Sequence, residues 1–412
     1  MLTFLVLTQT VHADGRARLV GFASLPADTF AEGRPSGADD GWGMPIGANG
    51  RTGPFDSQPV QGFSAGQFAP GGEGLFLFLS DNGFGSQTNS ADYLLRIYQL
   101  RPDFLSKEGG GGDVAVEGFV EFADPDHQIP FQIVNGHTPE RRLTGADFDP
   151  ESLVVDARGD IWVGDEFGPF ILHFDHEGTL LEPPIATPDL EDGMLSKTQM
   201  VRSPENPYLA DPADANLGSS RGFEGMAFSL DRQTLYPMLE GTVDGDREAS
   251  LRIYRFDVRK SAFEGFVGFY LLDDPSHAIG EMTPINDDEF LIIERDGEQG
   301  ASARFKKIFK IDIRRRDAGG FFEKTEVADL LDIADPNDLD GDGKTDFAFP
   351  FETIESVLIL SEREILVAND NNYPFSIGRG PDIDDNEFIV LRLPQKLQLD
   401  TSARTAGKRA AS

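Results

Sequence analysis

The chain of 412 residues has no cysteine. That excludes disulfides and thiolate metal centres, and it leaves the compartment open. Positive charge is scarce: 36 lysines and arginines stand against 71 aspartates and glutamates, a formal charge of −35. A field of that sign repels nucleic acid and anionic membranes and attracts divalent cations. Adaptation to a salty or alkaline habitat would produce the same excess. No apolar run approaches the ~20 residues of a membrane-spanning helix, so no integral membrane segment is expected. The six histidines lack metal-ligand spacing except for His173-x-x-His176, which reads as a surface pair on a strand and turn.

Glycine (45) and proline (26) are plentiful, as many short strands and tight turns require. Five segments follow one plan: a small or acidic start, an apolar strand, a turn, and a second strand ending in acids or amides. They are Gly62-Phe-Ser-Ala-Gly to Asp81-Asn82, Asp149-Pro-Glu151-Ser to Asp165-Glu166, Gly222-Phe-Glu224-Gly to Glu240, Gly280-Glu281-Met to Glu294-Arg295, and Glu355-Ser-Val to Asn369-Asp370-Asn371. Repeated hairpins predict an all-β chain built as a single β-propeller. Period-two stretches at Leu94–Leu100, Phe170–Asp175, Leu251–Asp257, Ile308–Ile313 and Glu387–Leu393 supply third strands. Val114–Phe122 and Phe266–Leu272 supply fourth strands, so each blade is expected to be four-stranded and antiparallel. Ala17–Ser24 should add an outer strand to the last blade and close the ring. Unequal gaps between hairpins leave room for diverged blades, so six are expected and seven are the alternative.

One propeller domain is expected over residues 14–395, with a disordered tail over 396–412. Residues 1–13 end in Val11-His12-Ala13 and fit a signal peptide shortened at its start, which predicts a periplasmic or extracellular protein. A plain first strand is the other reading. Residues 187–221, rich in proline and small polar residues, read as a long excursion on one face.

Asp338-Leu-Asp340-Gly-Asp342-Gly343-Lys344-Thr-Asp346 fits D-x-D-x-D-G-x-x-D. Three alternating carboxylates, a glycine for the sharp turn and the Lys344 carbonyl suit Ca²⁺, which prefers oxygen ligands. Phe349 stands where an EF-hand closes with glutamate, so the expected role is a structural calcium loop. An acidic turn with Asn337 and Gly341 as turn formers is the simpler reading.

The repeat also predicts convergence. Inner strands line a propeller's channel, which would bring together Asp81, Glu151, Asp165, Glu166, Glu224, Glu240, Glu281, Glu294 and Asp370, with Asn82, Asn369 and Asn371 among them. So many carboxylates need cations or raised pKa values. Ca²⁺ suits such an oxygen shell, and one acid could stay free as a general base. Capping of turns, or bonds to the backbone of the next blade, would explain any one of these acids alone.

Asp147-Phe-Asp-Pro-Glu-Ser, Trp162-Val-Gly-Asp-Glu-Phe-Gly-Pro-Phe, Gly222-Phe-Glu-Gly-Met-Ala and Gly280-Glu-Met resemble the phytase-like, "esterase-like activity of phytase" family, over about Leu19 to Leu393. The resemblance implies a propeller that hydrolyses phosphoesters or other esters. For a calcium-dependent phosphoesterase it implies metal held by Asp81, Glu151, Asp165, Glu224, Glu281 and Asp370, with Glu166 or Glu294 as base. Arg295 and Arg142 would contact phosphate, and Asn82 and Asn371 would face the substrate. The alternatives are a calcium-dependent lactonase or carboxylesterase, and a non-enzymatic propeller that binds a protein or glycan. The first repeat departs from the pattern, with Ser64 where others carry glutamate, and no R-H-G phosphate-transfer motif occurs.

Overall fold

The computed structural model describes residues 15–400 except Gly71 and Glu73. The signal-peptide segment 1–13 and residues 401–412 lie outside the described residues. The chain is all-β, with two short 3₁₀ turns at Pro212–Asp214 and Gly300–Ser302. Among the described residues no helix is long and apolar enough to cross a membrane.

The strands form three separate four-stranded antiparallel sheets and one ten-stranded sheet whose main path divides into two four-stranded runs, and each of these units is an array. The first is Phe63–Phe68, Phe76–Ser80, Arg96–Asp103 and Asp113–Glu121. The second is Pro150–Val155, Ile161–Asp165, Phe170–Phe174 and Ile185–Ala186. The third is Phe223–Phe228, Thr234–Leu239, Ser250–Asp257 and Ala262–Leu271, and the fourth is Ala278–Pro284, Glu289–Arg295, Lys306–Arg316 and Phe322–Asp329. The fifth joins Thr353–Ser361, Glu364–Asp370 and Asn386–Arg392 to the N-terminal strand Arg18–Leu25, which pairs antiparallel with Asn386–Arg392. A Ser24–Asp113 bridge links the fifth array to the first.

The arrays close a propeller-like ring. The first-listed strand of each packs on its counterpart in the next array, from Phe63–Phe68 round through Thr353–Ser361 and back. Each interface has its own apolar core. Leu79 and Ile97 meet Leu153 and Val163, while Trp162 and Ile171 meet Phe223 and Tyr254. Ala227 and Met238 meet Ile279 and Phe290, and Ile293 meets Val357 and Val367. Phe388 and Leu366 meet Phe63 and Phe78 and complete the circle. These alternating strands are buried on both faces, as stacked sheets require.

Six blades are expected from the sequence; among the described residues the strands form three four-stranded sheets and one ten-stranded sheet. The extra sequence goes into insertions. One is the hairpin Pro188–Glu191 and Met194–Met200 with its following loop. A second is the pair Ile333–Ala334 and Asp346–Phe347, which carries the aspartate loop. A third, residues 26–60, folds over the edge of the ring on a small cluster of Ile46, Phe55, Phe84, Tyr93, Tyr373 and Ile383. Leu397 is buried against the fourth–fifth core, and Lys396 pairs with Glu362.

Candidate metal and active site

Every inner strand breaks register near its start. The pairing skips one residue between Phe63 and Ala65, between Pro150 and Ser152, between Phe223 and Gly225, and between Ile354 and Ser356. The skipped residues are Ser64, Glu151, Glu224 and Glu355. A bulge re-aims its extra residue out of the alternation of the strand. Three arrays use that device to turn a glutamate toward the ring axis. In the fourth, the interruption spans Gly280 and Glu281 opposite Ile293, so the residue in step is Gly280.

The second strands supply another set. The residues paired with the position before each bulge are Ser80, Asp165, Leu239, Glu294 and Asn369. The next residues, one step round the alternation, are Asp81, Glu166, Glu240, Arg295 and Asp370. Close approach fixes these ends. Gly62 has φ +71°, and a β-carbon there would sit 2.0 Å from Asp81 Oδ1. One on Gly222 would sit 2.5 Å from the Glu166 α-carbon. Only glycine fits both places.

The two sets meet in a buried cluster. Carboxylate oxygens of Asp149, Glu151 and Glu166 lie within 4.8 Å of one another, as do those of Glu151, Glu224 and Glu355, and those of Glu166, Glu224 and Glu240. Glu151, Glu166 and Glu224 each belong to two of these triads. Glu166 Oε1 and Glu224 Oε1 are buried without a hydrogen-bond partner. Burial pushes the carboxyls of Glu151, Glu166 and Glu224 well above the usual carboxylate range, and their mutual repulsion adds to it. Burial pushes Glu355 up to about 8, although the Arg295 guanidinium opposes the rise. An all-oxygen shell with orphaned acceptors fits a hard dication such as Ca²⁺.

Two arginines join the cluster. Arg295 is buried, donates from Nη2 to Glu355 Oε1 at 2.7 Å and lies 3.9 Å from Glu240 Oε1. Arg221, with its side chain 47% exposed, pairs with Glu240. The excursion after the second array braces the same turn, because Ser203 Oγ donates to the Glu166 carbonyl and Ser220 Oγ to Asp149 Oδ2.

Other expected site residues fall elsewhere. Asp81 and Asp370 sit on the border of the cluster, and burial pushes Asp370 up to about 6. Asp165 faces away: its oxygens accept from the backbone of Asp149 at 2.9 Å and Gly168 at 2.7 Å. Burial still raises it to about 7. Glu281, one place out of phase, is buried apart from the triads and accepts a long 3.4 Å bond from the Gly66 amide of the first array. Glu294 also points out of the channel and is saturated by Tyr270, His277, Lys324 and the Asp273 amide, which leaves no free oxygen for a base. Arg142 pairs with Glu121 at 2.8 Å, away from the cluster. Asn82 and Asn371 are turn residues: the Asn82 amide N–H donates to Asp149 Oδ1, and Asn371 Nδ2 donates to the Asp384 carbonyl. His173 is corrected from surface to buried, stacked 3.7 Å from Trp162 and bonded to Glu182. Asp149, Glu240, Glu355 and Arg221 complete the site.

The aspartate loop is a second, different site. Asp338, Asp340 and Asp342 converge within 4.8 Å. Asp338 Oδ1 accepts from the Gly343 amide, and Asp342 is held by the Lys344 amide and ammonium. Asp346 turns to Arg16, which it meets at 2.9 Å, and stands outside the triad.

With this geometry in view, comparison with known proteins is direct. The family described as "Phytase-like: Esterase-like activity of phytase" matches residues 58–373, and the chain belongs to it. An uncharacterized secreted protein of Arthroderma benhamiae is 28% identical over 186 residues, covering 38% of this chain and 36% of that protein. The match thus spans about a third of that relative's length. Among solved structures, an exo-β-1,3-galactanase of Phanerochaete chrysosporium aligns with a TM-score of 0.39 and 10% identity, over 81% of this chain and 61% of the other. A luciferin-regenerating enzyme aligns with a TM-score of 0.36 and 10% identity, over 81% and 80%. Neither structural likeness carries functional information for this chain.

Proposed function

We propose that the chain is an exported five-bladed propeller hydrolase of esters, with phosphoesters as the first substrate class. The observation that carries this reading is the set of interlocked carboxylate triads with the orphaned oxygens of Glu166 and Glu224. Asp149, Glu151 and Glu224 would hold a hard dication, Ca²⁺ by choice of donors. When bound, it supplies neutralisation of an anionic ester oxygen and acidification of a water. Glu166, with one oxygen free of hydrogen bonds, is suited to take a proton from an attacking water once its carboxylate is ionised. Arg221 is half-exposed beside Glu240 and can donate to a substrate oxygen. The family's description and the secreted relative support ester hydrolysis outside the cytoplasm.

A neutral ester or lactone is the second reading. The observation for it is the poverty of accessible positive charge: of the two arginines in the cluster, Arg295 is buried and committed to Glu355. The test is a panel of aryl phosphate, phytate, aryl ester and lactone, with calcium and with chelator. Calcium-dependent phosphate release, lost in Glu166→Gln, is the expected result. Turnover of the lactone alone moves the assignment to the second reading. No turnover of any ester sinks both and leaves a binding propeller.

A further inference from the structure

The fourth array is the exception in the ring. At the bulge position it has Gly280, where the second, third and fifth arrays have Glu151, Glu224 and Glu355. At the second-strand position it has Arg295, where the other four have Asp81, Glu166, Glu240 and Asp370. One sector of the channel therefore lacks its acids and carries a buried guanidinium.

The reach of that guanidinium is specific. It contacts Glu355 at 2.7 Å and Glu240 at 3.9 Å. Each of these belongs to one triad only, and both triads share Glu224. The third triad, Asp149–Glu151–Glu166, has no arginine or lysine in salt-bridge contact among the described residues, and Glu166 Oε1 there lacks any partner. Arg295 Nε is itself buried without a partner. Its place is set by the surrounding carboxylates, with one strong bond and the rest through-space attraction. A residue placed there to grip a substrate would be exposed to it, whereas the Arg295 side chain is 9% exposed.

We propose that Arg295 is a built-in cation that fills the Glu240–Glu355 sector of the channel and confines exchangeable dications to the sector of Asp149, Glu151, Glu166 and Glu224. This rests on the reading of the channel as a dication site. It gives Arg295 a role distinct from substrate contact: it is a positioning residue that sets how many ions the channel holds. Removing the guanidinium should open a further seat between Glu240, Glu355 and the shared Glu224, because Glu355 then loses its salt-bridge partner and Glu240 keeps Arg221 alone.

The test is calcium titration of the full chain by calorimetry, with Asp338→Asn, Asp340→Asn and Asp342→Asn present to silence the exposed loop. In that background Arg295→Gln is expected to bind one more calcium ion per chain than the parent, and Arg295→Lys the same number as the parent. An unchanged or smaller number in Arg295→Gln overturns the proposal. Circular dichroism in calcium and in chelator guards against a folding failure. An Arg295→Gln chain that folds in calcium and not in chelator supports the proposal, and one that folds in neither overturns it. Should the parent hydrolyse no ester, the functional reading fails, while the difference in ion number still decides the role of Arg295.

Discussion

Two groups of carboxylates in this molecule satisfy the same geometric test, with oxygens converging within 4.8 Å, yet they are physically unlike. In the aspartate loop the acids are near solvent, and local amides or Lys344 already engage Asp338 and Asp342. In the channel they are buried, raise one another's pKa values and leave acceptors unpaired. The loop has the tidier motif. The channel has the greater need, because an uncompensated charge is costly only where water is excluded. Motif quality and electrostatic demand are therefore separate signals.

The sharpest way to break this comparison is to remove the channel's counter-charge. In chelator, Arg295→Met should cost about 3–5 kcal/mol in urea unfolding, as expected for a buried pair that loses one partner. A cost below about 1 kcal/mol would place the pair in the surface class instead. Glu224→Gln should act in the opposite sense. In chelator it should gain about 1–3 kcal/mol by removing a buried acid with an unpaired oxygen, and it should abolish any rise in melting temperature on adding calcium.

The pH dependence of stability follows from the raised acids. Asp370, Asp165 and Glu355 bind protons more tightly when folded, near 6, 7 and 8 respectively, than the unfolded chain does. Their contribution is full below the unfolded carboxylate range and is lost as pH rises through those values. Melting temperature in chelator should therefore fall between about pH 5 and 8, and saturating calcium should flatten the slope. A flat profile in chelator would remove the electrostatic distinction between channel and loop. The smallest effect is expected at the loop, where Asp340→Asn should change stability by no more than about 1 kcal/mol and leave the channel's calcium response intact.

The strands and their grouping could be read from the repeated hairpins, because strands buried on both faces read as short apolar runs bounded by turn residues. The number of blades could not, since insertions such as residues 187–221 lengthen the gaps between hairpins. Candidate acids were legible only to within one residue. Alternation in the second strands separates Glu166 and Arg295, which turn inward, from Asp165 and Glu294, which do not. Ends of hairpins aligned by eye lose that phase. Glu281 was misplaced for the same reason: aligning its glutamate with the others hides the fact that Gly280 occupies the bulge. Asp149 opens the second repeat but has no counterpart acid in the third, and Arg221 lies just outside its repeat. They enter through the turn that Gly222 allows against Glu166.

The strand Arg18–Leu25 completes the array formed by the last strands of the chain. It is made well before its partner Asn386–Arg392, with the rest of the ring between them. Until that partner emerges it must wait as an unpaired edge, with apolar Leu19, Ala23 and Leu25 uncovered. Closure joins residues from opposite ends of the sequence, so the final step of folding is slow in the way that distant contacts impose. A protein delivered across a membrane before it folds would meet this step on the far side, where both ends are first present together.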